Sequence, residues 1–99
     1  MIRGTTPQLE FTLPIEAVTL SEGYISFAQE GRLLFSKSLA DCAASGNVLL
    51  LRLSQEETLR FRSGRTVEIQ IRAKTVTGRA IASEIIEESA DRILKDGVI

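Results

Sequence analysis

The stretch Thr66-Val67-Glu68-Ile69-Gln70-Ile71-Arg72-Ala73-Lys74-Thr75 decides the fold class. Val67, Ile69, Ile71 and Ala73 alternate with Glu68, Gln70, Arg72 and Lys74. Successive side chains on a strand point to opposite faces. A strict period of two therefore predicts a strand with one face buried and one in water. The β-branched residues suit the pleated surface as well.

Working outward, the same alternation recurs. Upstream, Ser54-Gln55-Glu56-Glu57 is a capping box, in which Ser54 and Glu57 satisfy each other's backbone amides. It predicts one or two helical turns over residues 54–59. Before it, residues 48–53 form a strand with Leu49, Leu51 and Leu53 inward, after the turn residues Ser45-Gly46-Asn47. Residues 24–29 and 32–37 make a hairpin about Glu30-Gly31, with Ile25, Phe27, Leu33 and Phe35 on one face. Leu9, Phe11 and Leu13 mark a first strand. Pro7 and Pro14 bracket it, and proline suits strand ends and sheet edges. Downstream, Thr77-Gly78 turns the chain into a strand over 79–87. Ile85, Ile86, Ser89, Ala90, Ile93 and Leu94 also fit a helical stripe, so periodicity does not separate strand from helix across 85–94.

Six or seven short strands with one short helical turn between them suit an all-β fold. The expectation is an antiparallel β-sandwich, Ig-like in broad shape. The chain has 99 residues, enough for one core, and residues 1–99 are read as a single domain. The expected core is Leu9, Phe11, Leu13, Ile25, Phe27, Leu33, Phe35, Leu49, Leu51, Leu53, Leu59, Val67, Ile69, Ile71 and Ile81.

Composition narrows the chemistry. Charged residues make up 25% of the chain and apolar ones 43%, which is unlike a disordered sequence. There is no His, so Ser-His and Cys-His nucleophile pairs cannot be built within the chain. Cys42 is the only Cys, too few for an intrachain disulfide or a structural zinc site. No His or Lys flanks Cys42, and a half-buried, inert thiol is expected there. No cofactor is expected. The formal net charge is −1, so no global basic field holds nucleic acid or an anionic membrane. The longest aliphatic run, residues 48–51, is too short to span a bilayer, and the first residues lack the apolar core of a signal peptide.

Four local features invite a functional reading. Glu84, Glu87, Glu88 and Asp91 are acidic, and Glu84 with Glu88 would be the pair for a hydrolase. The chain has only five aromatics and no calcium-loop spacing, so a solvated face is the better reading. Arg60, Arg62, Arg65 and Arg72 are basic, but salt bridges to Glu56, Glu57 or Glu68 account for them more simply than phosphate binding. Tyr24, if exposed, is the natural contact for a carbohydrate or other ligand. Leu34, Val48 and Leu50 lie opposite core-facing neighbours. If their strands share a sheet, they form an aliphatic patch for a second copy or another protein. A fold of residues 40–45 or of Ile93 and Leu94 over that patch is the alternative.

Several strings along the whole chain add a resemblance. Arg3-Gly4-Thr5-Thr6-Pro7 with Leu9-Glu10-Phe11-Thr12-Leu13-Pro14 is one, and Ile25-Ser26-Phe27-Ala28-Gln29 is another. Leu53-Ser54-Gln55-Glu56-Glu57-Thr58 and Arg92-Ile93-Leu94-Lys95-Asp96-Gly97-Val98-Ile99 complete the set. Together they resemble small proteins encoded by prophages and tailed phages of Gram-positive bacteria. The resemblance implies a β-sandwich with a virion- or tail-associated structural role and no enzymatic activity. It implies protein partners among virion components, a homo-oligomer among them, and a place in the host cytoplasm during assembly and then in the particle. It carries over no site residues. The competing expectation is a small carbohydrate- or ligand-binding module.

Overall fold

A computed structural model describes residues 1–99. Eight strands form two antiparallel sheets. They are β1 (Gln8–Thr12), β2 (Leu20–Gln29), β3 (Arg32–Ser38), β4 (Ala43–Ser45), β5 (Val48–Arg52), β6 (Thr66–Thr75), β7 (Ala80–Ala82) and β8 (Ile86–Ser89). The small sheet runs β1-β5-β4 and the large one β3-β2-β6, with β7 and β8 both on the far side of β6. The fold class expected from the sequence is the one observed.

β7 and β8 are one outer strand broken by a bulge. Ala82 pairs with Arg72 and Ile86 pairs with Ile69, so three residues of the outer strand oppose two of β6. Ser83 occupies the break. Its amide donates to the Ile71 carbonyl and its hydroxyl accepts the Ile71 amide, which replaces part of the lost ladder. The ambiguous stretch is therefore strand over 86–89, followed by the buried Ala90.

Counted this way, the order is β1-β5-β4 against β3-β2-β6-β7/β8. It matches the B-E-D and C′-C-F-G strands of an immunoglobulin sandwich, without the A strand that would lie beside β1. The crossover from β5 to β6 passes through α1 (Gln55–Leu59), capped as the sequence predicts. The Ser54 hydroxyl accepts from the Glu57 amide (3.1 Å), and the Ser54 amide donates to the Glu57 carboxylate (2.8 Å).

The core lies between the sheets. Ile25 and Phe27 from β2, Val67, Ile69 and Ile71 from β6, and Leu49 and Leu51 from β5 are buried, as expected. Phe27, Phe35 and Phe61 stack at the α1 end, with ring centroids 4.8–6.2 Å apart. The Arg60 guanidinium sits 5.2 Å over the Phe35 ring. Leu33 corrects an expectation. It is 61% exposed, because the β2–β3 register shifts by one residue between Phe27 and Ala28. A one-residue shift turns a side chain to the other face. Leu33 is thus outward, paired with Ala28, and Leu34 packs against the core instead.

Candidate functional site

β1 is an edge strand, as its flanking prolines suggest. The Leu13 amide donates to the Asn47 carbonyl (2.7 Å) and the Leu53 amide donates to the Pro7 carbonyl (3.0 Å). Bonded positions alternate in an antiparallel ladder. The odd-numbered residues of β1 therefore bond to β5, and the backbone N–H and C=O groups of Gln8, Glu10 and Thr12 point to the free edge. β1 pairs with no strand other than β5.

The same reasoning fixes the outer edge of β7. The Thr75 amide donates to the Arg79 carbonyl (2.8 Å), and the Ser83 amide donates to the Ile71 carbonyl (2.8 Å). Arg79, Ile81 and Ser83 are thus bonded to β6, and the backbone of Ala80 and Ala82 faces away. The two free edges flank an open seam between the sheets.

A slot of about 750 Å³ lies in this seam, lined by Phe11 and Leu13 on one side and Ile71, Ile81 and Ile86 on the other. Phe11, Leu13 and Ile71 belong to the core, while Ile86 is 36% exposed. Toward α1 the seam is closed by the chain itself. Ile2 makes a parallel bridge with Asp91, and the Arg3 amide donates to the Asp91 carbonyl (3.0 Å). The Arg3 side chain donates onward to the Phe61 carbonyl (2.6 Å) and the Leu59 carbonyl (2.9 Å). At the Pro14 end residues 13–19 carry the chain from the small sheet to the large one, with the Ala17 amide donating to the Gly46 carbonyl (2.9 Å) and the Val76 amide to the Thr19 carbonyl (2.8 Å).

Among the residues lining the slot, one is acidic and one is basic. Glu10 and Arg79 stand at the slot, and Glu84, Glu87 and Glu88 follow along the outer strand. None of the five forms an ion pair. Glu88 pairs with Val67 and so shares the core-side face of its sheet, two residues beyond Ile86.

The residues singled out in the sequence are dispersed. Val48 and Leu50 lie on the outward side of β5, half-buried between β1 and β4. Leu34 is not with them. β3 and β5 belong to different sheets, so the premise of one shared patch fails. Neither proposed cover lies over Val48 and Leu50. Residues 43–45 form β4 beside β5, Leu94 is almost fully exposed, and Ile93 rests against Gly4. Tyr24 is 54% exposed on the outer face of the large sheet, opposite Arg72 and Ser38. Tyr24 lines neither of the two main cavities, whereas ligand sites are concave.

The arginines do not gather into one patch. Arg60 covers Phe35, Arg65 pairs with Glu30 (2.8 Å), and Arg72 lies beside Tyr24. Salt bridging of arginine to Glu56, Glu57 or Glu68 is not what forms. Glu57 instead takes Lys37 (2.7 Å). Cys42 is half-buried beside the Ser38 carbonyl, and burial pushes its thiol pKa up. No three acidic or thiol side chains converge as a metal site would require.

Sequence reasoning missed the seam. Pro7, Pro14 and the alternation of Leu9, Phe11 and Leu13 mark an edge strand, but only the topology places Ile81 and Ile86 across from it. No protein-family model, curated protein or solved structure matches the chain.

Proposed function

We propose that this chain is a non-enzymatic structural or accessory protein that works through protein–protein contacts. The observation carrying this reading is the open seam: an apolar slot flanked by two strand edges with unpaired backbone groups. Exposed edges are ready templates for another chain, and proteins that do not use them blunt or cover them. Here only the β7/β8 edge is bulged, while β1 is regular along its five residues. The likeness of its sequence strings to those of phage and prophage proteins makes a virion or tail the setting.

Mass spectrometry of purified particles from an induced host carrying the gene tests this reading. The expected result is the chain present in fixed proportion to the other particle proteins, and cross-linked to one of them from a photoreactive residue at Thr12. A chain found free in the lysate and absent from particles overturns the setting. Particles that hold the chain but give no cross-link at Thr12 overturn the seam as its contact.

A further inference from the structure

We infer that the seam slot holds a fatty acid, with its carboxylate on Arg79 and its aliphatic chain between the sheets. The inference goes beyond the interaction reading above, which concerns the backbone edges on either side of the slot.

The first observation is shape. The chain itself closes the seam at both ends, and the slot opens sideways between β1 and β7. Residues 1–3 bridge to Asp91 at the α1 end, and residues 13–19 cross between the sheets at the other. Along the outer strand the lining runs from Arg79 to Ile86, roughly 20 Å at the usual rise per residue. The volume of about 750 Å³ falls within the range of small-molecule sites, about 300–1,000 Å³. Phe11 and Leu13 face Ile71, Ile81 and Ile86 across it, so the walls suit an extended aliphatic chain.

The second is the state of the polar groups. The Thr75 hydroxyl is bonded to the Thr77 hydroxyl (3.0 Å) and accepts the Arg79 amide (3.0 Å). The Ser83 hydroxyl accepts the Ile71 amide (2.9 Å) and donates to the Glu84 carbonyl (2.8 Å). The Thr19 hydroxyl donates to the Glu16 carbonyl (2.7 Å). Glu10 and Thr12 alternate with the core-facing Phe11 and Leu13, so their side chains take the outer face of the small sheet. A sugar or a nucleotide needs several free donors and acceptors, and the slot does not offer such a set.

The third is Arg79. Ala80 pairs with Lys74, so Arg79 stands opposite Thr75 and two residues before Ile81. It therefore shares their core-side face. Its guanidinium lines the slot and forms no ion pair. A guanidinium takes a carboxylate in a bidentate pair. A phosphate monoester brings close to two charges, and a bilayer phospholipid brings two chains. One cation at one slot matches one carboxylate on one chain.

The test uses the full chain and three amphiphiles: dodecanoate below its micellar concentration, hexanoate and dodecyltrimethylammonium. Calorimetry gives affinity and stoichiometry, and backbone amide NMR gives location. Dodecanoate should bind one to one, at least ten times more tightly than either of the others, and move the amide signals of Ile71, Ile81, Ser83 and Ile86. Arg79→Gln changes an exposed side chain and should weaken dodecanoate binding about tenfold while leaving dodecyltrimethylammonium unaffected. Ile86→Trp, with its circular dichroism unchanged, should fill the slot and abolish binding of both. Equal affinity for the anionic and cationic amphiphiles, no effect of Arg79→Gln, or shifts confined to Tyr24 and Arg72 overturns the inference. Phosphatidylglycerol vesicles free of fatty acid should not sediment the chain. Co-sedimentation would assign the slot to a bilayer surface and overturn the choice of a free fatty acid. If dodecanoate does not bind while the Thr12 cross-link persists in particles, the ligand is wrong and the interaction reading survives.

Discussion

Gln29 shows how much one side chain can hold together. It is 4% exposed at the end of β2. Its amide nitrogen donates to the carbonyls of Arg62 (3.0 Å) and Arg65 (3.2 Å), and its oxygen accepts the Arg62 amide (2.8 Å). Three backbone groups of the loop between α1 and β6 are thus satisfied by a single residue from another strand. Removing a partner and leaving buried polar groups unpaired costs about 1–3 kcal/mol. Gln29→Leu should lower the urea midpoint by a corresponding amount with no change in m, because the exposed surface on unfolding stays similar. An unchanged midpoint would mean that water replaces the side chain. In the sequence, Gln29 reads only as the polar end of a strand, since its partners lie more than 30 residues away. Leu33 failed for the opposite reason. Its local alternation is sound, but a bulge set by pairing reversed its face.

At the scale of elements, α1 is tied to the large sheet by one carboxylate. Glu57 caps its own helix through the Ser54 amide and pairs with Lys37 of β3 at 2.7 Å. Burial by itself would raise the Glu57 carboxyl pKa. The hydrogen bonds from Lys37 and Ser54 outweigh burial and hold it below the ordinary glutamate range. The Glu57 hydrogen bond raises Lys37 above the ordinary lysine range, against a smaller opposing effect of burial.

The signs follow from linkage. A depressed carboxyl contributes stability above its unfolded pKa and loses it as pH falls through the folded value. A raised lysine contributes fully below its unfolded pKa and loses it as pH rises through the folded one. The wild-type chain should therefore lose stability on acidification below about pH 4–5, where ordinary glutamates titrate. Glu57→Gln should flatten that limb and also the alkaline limb above the ordinary lysine range. Thermal melts across pH read both limbs, and parallel curves for the two proteins would show that the pair is not the titrating unit. The capping box was legible because its two halves stand three residues apart. The ion pair was not, because Lys37 and Glu57 meet only when α1 crosses between the sheets.

The whole molecule is elongated, with extents of 47 × 26 × 16 Å. Its fold class was readable from Val67, Ile69 and Ile71 and from the repeated alternation around them. Turns at Glu30-Gly31 and Ser45-Gly46-Asn47 were readable too. Glu30 and Gly31 both have positive φ (52° and 75°), as a tight hairpin turn requires. The seam was legible only in part. Its β1 side is written in a local pattern flanked by prolines, but its other side depends on which strand of the second sheet stands opposite. No local period encodes that.

The parallel bridge between Ile2 and Asp91 also sets a timetable for folding. It joins residues 89 apart in the chain, whereas the β2–β3 hairpin closes over two residues. Loop closure costs more entropy for longer separations, and hairpins form in microseconds. Pulse-labelled hydrogen exchange should find the amides of β2 and β3 protected first. β1 waits for β5, and the terminal bridge comes last. Simultaneous protection of all four segments would remove this ordering. If the order holds, the edge that borders the slot is among the last parts to be fixed and among the first to loosen. A strand arriving at the seam then meets a chain still finishing its own assembly, and its docking and the final step of folding become one event.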